Sequence, residues 1–292
     1  MKKTTFFAIM MIAFSSIFAQ NPDTSYWHFD GIVNVAFNQT SFKYWSAGGN
    51  NSAAMNAIAG FHLNYEKGDL SFKNSLDLGY GTQKAMGLPF RKTDDKIDFS
   101  SKFGYKAINK FYYSALINFN TQFTDGFEYL DSGDSNLVST FMAPAYLLYS
   151  VGIDYLPNKN FSIYSSPLTG KSTFVLDENL SNAGAFGIDS GKTARYEFGA
   201  YVKMEMTKQI TDNLTINSKL GLFSNYLHNP QNIDVNFDLL ANLKVTKFIS
   251  VTLSTQMIYD DDILILIDPA TGVQGKRLQI KEILGVGFSY SF

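Results

Sequence analysis

Three histidines and no cysteine bound the chemistry open to this chain. A hydrolytic triad needs a hydroxyl, an imidazole and an orienting group within hydrogen-bond reach. His28, His62 and His228 are far apart, and only His62 has candidate partners on an adjacent antiparallel segment, Ser75 and Asp77. A hydrogen-bonded histidine on a polar strand face explains it better than catalysis does. No H-E-x-x-H, G-x-S-x-G or G-x-x-x-x-G-K-[ST] occurs. The lack of Cys excludes disulfides, thiolate metal sites, Cys nucleophiles and a lipidated Cys anchor. Hard cations need several oxygen ligands. Asp260-Asp261-Asp262 with Asp268 offers carboxylates without EF-hand spacing, and reads as a solvated acidic rim. No catalytic residue, metal ligand or cofactor is assigned, and an enzyme is the least favoured class.

The charges that remain obey a period of two. Lys73, Asp77, Lys102, Lys106, Asp154, Arg195, Glu197, Lys203, Glu205, Lys219, Asp234, Asp238 and Lys244 alternate with apolar residues in short runs. Such a run is a strand with one apolar and one polar face. The last run shows it best: Leu284, Val286, Phe288, Tyr290 and Phe292 on one parity, Gly285, Gly287, Ser289 and Ser291 on the other. A transmembrane β-barrel has this form, with lipid on one face and a lumen on the other. There the charged residues are lumen-lining candidates. A Lys or Arg on the lipid face near mid-bilayer would cost about 2–4 kcal/mol. Glu282 breaks the rule, and a bulge or a place near the rim would explain it.

Twelve strands are predicted: around 33–37, 57–65, 70–80, 97–105, 111–119, 145–155, 161–163, 196–204, 214–222, 233–243, 249–257 and 280–292. The connections alternate. Those at 66–69, 108–110, 157–160, 208–213 and 246–248 are short; those at 42–51, 82–95, 124–142, 166–193 and 260–276 are long, and 228–232 is the exception. Outer-membrane barrels have short periplasmic turns and longer external loops, so an even-stranded meander places both termini in the periplasm. The 166–193 connection is too long for a turn, and is expected either to fold into the lumen or to carry its own hydrophobic cluster. Trp45 with Gly48 and Gly49 is either a rim anchor or a ligand platform. Ile263-Leu264-Ile265-Leu266-Ile267 either prolongs the eleventh strand or packs in the mouth.

Composition agrees. Aromatics make up 15% of 292 residues and charges 17%, against roughly 25% in ordinary soluble domains. The net charge of −2 gives no reason to expect nucleic acid. Mean hydropathy is −0.07. Met1-Lys2-Lys3 followed by an apolar stretch to Ala19 reads as a secretory signal peptide over 1–19, leaving one barrel domain over 20–292. A secreted soluble sandwich or lipocalin-like barrel is the competing fold, but it would point polar residues outward and keep connections short at both ends.

The segments Trp45-Ser46-Ala47-Gly48-Gly49-Asn50, Ser166-Pro167-Leu168-Thr169-Gly170-Lys171 and Gly184-Ala185-Phe186-Gly187-Ile188, with Arg195, Glu197 and the closing Leu284-Gly285-Val286-Gly287-Phe288, resemble a Bacteroidota family of outer-membrane barrels of unknown function. The resemblance implies fold and location, and no activity. Phe288, Tyr290 and Phe292 also resemble the carboxy-terminal signal read by the barrel-assembly machinery. Lipid and that machinery are thus the expected partners, with an unidentified small solute if the lumen conducts. Two functions stay open: a narrow channel or transporter, and a non-conducting structural or partner-binding barrel.

Overall fold

The computed structural model describes residues 26–43, 51–130, 133–268 and 273–292. The expected signal peptide and the Trp45, Gly48 and Gly49 segment lie outside the described residues. Twelve antiparallel strands close into one barrel: β1 (Trp27–Thr40), β2 (Ser52–Lys67), β3 (Leu70–Ala85), β4 (Arg91–Ile108), β5 (Phe111–Thr121), β8 (Ala145–Asn158), β9 (Phe161–Phe174), β10 (Ala194–Gln209), β11 (Leu214–Asn225), β12 (Ile233–Lys244), β13 (Ile249–Tyr259) and β16 (Gln279–Ser291). Each pairs with its sequence neighbours, and β16 closes on β1. Two small hairpins rise from the long connections: β6 (Gly126–Tyr129) with β7 (Ser135–Ser139), and β14 (Ile265–Asp268) with β15 (Val273–Gly275). The apolar run at 263–267 therefore forms part of a separate hairpin and does not prolong β13.

The alternation decides which side faces in. On β4, Lys102 is 6% exposed while its neighbour Phe103 is 46% exposed. A water-soluble fold would invert that. The same inversion runs round the barrel: Leu116, Tyr164 and Asp154 are buried inside, and Ile117, Val151 and Ile153 are exposed outside. Aromatics gather at the end with short turns, where Trp27 packs on Tyr65 (5.0 Å) and Phe111 stacks on Tyr155 (4.7 Å). The tight turns there use Gly68 (φ +58°) and Asn109 (φ +49°), the residue types that tolerate a left-handed backbone.

One expectation fails on β9. The sequence predicts a long loop from 166, yet the strand continues past a register shift to Phe174, and the connection is 175–193. A bulge explains the failure. Val151 pairs with Leu168 but Ile153 pairs with Ser165, so Ser166 and Pro167 add a residue. Parity flips there: Ser162, Tyr164 and Ser166 are buried before it, Thr169 and Thr173 after it. A period-two scan loses phase at such a point. Proline is tolerated because a bulge does not need its missing N–H. Ser166 Oγ holds the bulge by donating to the Val151 carbonyl (2.7 Å) and accepting from Leu168 N–H (3.2 Å) and the Thr169 hydroxyl (3.0 Å).

Gly285 and Gly287 have a steric reason. A Cβ on Gly287 would sit 2.1 Å from the Val35 carbonyl oxygen, and one on Gly285 would sit 2.7 Å from Ala36 Cβ. Only glycine lets β16 lie this close to β1.

Candidate functional site in the barrel lumen

The inward charges form three tiers along the barrel. In the tier nearest the long loops, Lys171 of β9 contacts Asp234 (2.6 Å), Asp260 (3.3 Å) and Glu197 (3.7 Å). Arg195 bridges Glu197 and Asp262, each at 3.1 Å, and donates to the Gly187 carbonyl (3.2 Å). That last bond ties the wall to the 175–193 connection, which carries a one-turn helix, α1 (Glu178–Asn182), capped by Asp177 accepting from Leu180 N–H (3.0 Å). Val175, Leu180 and Ile188 bury themselves against Ala143 of the preceding long connection. The connection thus has its own apolar cluster, one of the two arrangements expected of it, and it leans on the top tier through Arg195.

The middle tier holds Lys96, Asp98, Asp77, Lys219 and Asp238. Asp77 and Asp98 stand directly opposite each other on β3 and β4, an unfavourable like-charge pair when alone. Two cations offset it. Lys96 lies 3.6 Å from Asp98 and 3.0 Å from Asp238, and Lys219 pairs with Asp77. In the lower tier Lys102 contacts Asp154 (2.7 Å) and Glu205 (3.9 Å), and Lys203 contacts Glu205 (2.8 Å). Lys73 faces Lys102 across β3 and β4, but turns to Glu66 at 4.0 Å. Lys106 makes no ion pair among the described residues and stays exposed near the short-turn end.

The sequence-level candidates Asp77, Lys102, Arg195, Glu197, Lys203, Glu205, Asp234 and Asp238 are all brought into these tiers. The lumen charges also include Lys171, Lys96, Asp98, Asp94 and Lys281, which lie outside the sequence-predicted set; Lys281 pairs with Asp94 at 2.6 Å. Lys171 was hidden by the bulge. Asp98 and Lys281 lie on the inward parity within the predicted strands 97–105 and 280–292, and Lys96 and Asp94 fall on it once the fourth strand is extended to Arg91. His62 does not take up Ser75 or Asp77 as a hydrogen-bond partner; its Nδ1 lies 2.8 Å from Asp30 Oδ1 on β1. The Asp260–Asp262 carboxylates diverge to three cations: Asp260 to Lys171, Asp261 to Lys276 (2.6 Å) and Asp262 to Arg195. The Lys276 hydrogen bond holds the Asp261 carboxyl below the usual carboxylate range.

Charged ladders of both signs can bind, orient or exclude small polar solutes. On the outside, Phe288, Tyr290 and Phe292 continue the exposed apolar face of β16. Phe292 packs on Phe29 (5.4 Å) and Tyr290 (5.9 Å), and exchanges backbone hydrogen bonds with Gly31 (3.0 and 3.1 Å).

Among solved structures, the chain is similar to the translocator domain of the autotransporter NalP from Neisseria meningitidis, at 11% identity and a TM-score of 0.39, covering 100% of this chain and 98% of that one. It is similar to an outer membrane channel from Pseudomonas putida F1, at 11% identity and a TM-score of 0.39, covering 94% and 100%. The NanC porin gives 9% identity and a TM-score of 0.38, covering 89% and 99%. No curated protein matches the chain. Residues 37–127, less than half of the chain, match a family model described as Protein of unknown function (DUF3078).

Proposed function

We propose that this is an integral barrel of a Gram-negative outer membrane whose narrow lumen passes small polar or charged solutes. The observation that carries the membrane assignment is the inversion of burial, with Lys102 inside and Phe103 outside on a closed barrel. Only a closed barrel or a helix satisfies its backbone in lipid. The resemblance to Bacteroidota barrels and the signal peptide expected over 1–19 support export. The short-turn end, where Trp27 and Phe292 lie, is then periplasmic. Lipid covers the apolar face, and the assembly machinery engages Phe288, Tyr290 and Phe292.

The transport reading rests on the tiers. Twelve strands enclose a lumen narrow enough for side chains to meet across it. A charged solute can replace one partner of an ion pair as it passes, so the tiers act as a selective constriction. A second reading has its own observation: Lys96–Asp238 and Lys219–Asp77 cross the lumen and favour a barrel that does not conduct at rest. Purified protein in planar bilayers distinguishes them. Discrete single-channel steps support transport; a sealed bilayer with folded, inserted protein supports the structural or partner-binding role.

A further inference from the structure

The closure of the barrel is uneven, and the unevenness coincides with the misplaced charge on its outer face. β1 pairs with β2 from Trp27 to Thr40, and β13 pairs with β16 from Gln279 to Phe288. β1 pairs with β16 only from Ile32↔Ser291 to Ala36↔Gly287, with a further backbone bond pair at Gly31 and Phe292. Toward the long-loop end, Phe37–Thr40 of β1 and residues 279–286 of β16 continue as strand with no register between them among the described residues. On β1 the outward residue beyond the pairing, Phe37, is 60% exposed against 39% for Val35 within it; on β16 the outward residues are half-exposed or more on both sides of the parting, with Leu284 the most at 73%.

This open stretch belongs to the lipid-facing band, since Phe37, Ile280, Leu284 and Val286 all point outward. Unpaired backbone groups there cost several kcal/mol each, and acyl chains cannot satisfy them. The same stretch carries Glu282, exposed on the outer face between Ile280 and Leu284 and without an ion pair among the described residues. Neither of the explanations expected from sequence fully accounts for it. β16 shows no bulge against β13, where Glu282 pairs with Thr255, a residue in the middle of β13.

We propose that the upper β1–β16 seam is an acceptor site for an extended segment of another protein, added as a strand along residues 279–284 of β16, above the point where Gly285 still lies against Ala36. Main-chain hydrogen bonds would supply affinity, and alternate side chains specificity. The charge selects the occupant. Pairing of β16 with a second copy of itself in antiparallel register would bring the two Glu282 carboxylates close together, which is unfavourable. The fitting segment therefore has apolar residues on its lipid-facing parity and a Lys or Arg beside Glu282.

The test uses the whole protein in lipid nanodiscs and a synthetic probe of about eight alternating Val and Thr residues, long enough to span the open edge. The probe carries one central Lys and a terminal Cys activated as its 2-pyridyl mixed disulfide, so that the introduced thiolate displaces pyridine-2-thione and no oxidant is needed; a twin has Glu in place of Lys. Leu284→Cys gives a unique crosslinking site, because the chain has no native Cys. The lysine probe is expected to form the disulfide at least about tenfold more than the glutamate twin. Glu282→Gln should abolish that preference, and Glu282→Lys should reverse it. The control Leu239→Cys, on the outer face of β12, should show no preference. Equal capture of both probes at 284, capture of neither, or a preference unmoved by Glu282→Lys would overturn the proposal.

Discussion

Lys219 and Asp238 stand directly opposite each other on adjacent strands, yet neither takes the other as its ion-pair partner. Lys219 reaches Asp77 on β3 and Asp238 receives Lys96 from β4. In the closed strand order, five strands separate β11 from β3 on either side, and five separate β12 from β4. Both bonds therefore run across the full lumen. Local neighbours are exchanged for partners on the far wall, so two ion pairs cross the middle of the barrel.

If the barrel conducts, that arrangement governs its conductance. Lys96→Ala with Lys219→Ala removes both crossing cations and leaves Asp77, Asp98 and Asp238 facing the lumen. Single-channel conductance should rise, and reversal potentials should shift toward cation selectivity. Asp77→Asn with Asp238→Asn should shift selectivity the other way. If all four changes leave conductance and selectivity of a conducting barrel untouched, the middle tier is not on the path.

The facing of β12 is open to a direct test. Leu239 lies on the outward parity and Leu240 on the inward one, between Asp238 and Asn242. Leu239→Arg should cost about 2–4 kcal/mol of folding stability in bilayers if it lies near the midplane. Leu240→Arg should cost less, because Asp238 and lumen water can take the guanidinium. A single Cys at 239 should resist water-soluble maleimide. Ready labelling at 239 with protection at 238 would mean that the register is inverted.

The bulge on β9 should be the most sensitive point of the wall. Ser166→Ala leaves Leu168 N–H and the Val151 carbonyl without their partner, at a cost of about 1–3 kcal/mol. Gly152→Ala should cost more, since the new Cβ would lie 2.2 Å from the Ser165 carbonyl oxygen. Urea unfolding in liposomes, followed by tryptophan fluorescence, checks both. Gly68→Ala is the comparison: nothing crowds its Cβ, so only the φ of +58° opposes it.

Removal of Phe292 should weaken closure. It takes away both backbone bonds to Gly31 and the ring contact with Phe29 from a seam that is already short. A heat-modifiable, folded band should fall sharply relative to the full chain on cold gel electrophoresis. An unchanged yield would show that the β1–β16 closure does not depend on this residue.

Strand number, facing and the polarity of the two surfaces are legible in the chain, because the side-chain period of a strand is two. A residue such as Phe103 next to Lys102 declares both faces at once. β9 is the exception that supports the rule: one extra residue at Ser166–Pro167 reversed the parity, so the strand read as a loop and Lys171 was lost with it. Pairing across the lumen is a different matter. Lys96 and Asp238 are separated by more than a hundred residues, and no local pattern links them. Their meeting depends on the strand count, the tilt and the closure of the wall, which bring opposite sides within reach of a lysine. The short seam beside Glu282 has the same origin. The charge is visible in the sequence, but the end of the β1–β16 register beside it appears only when the first strand meets the last.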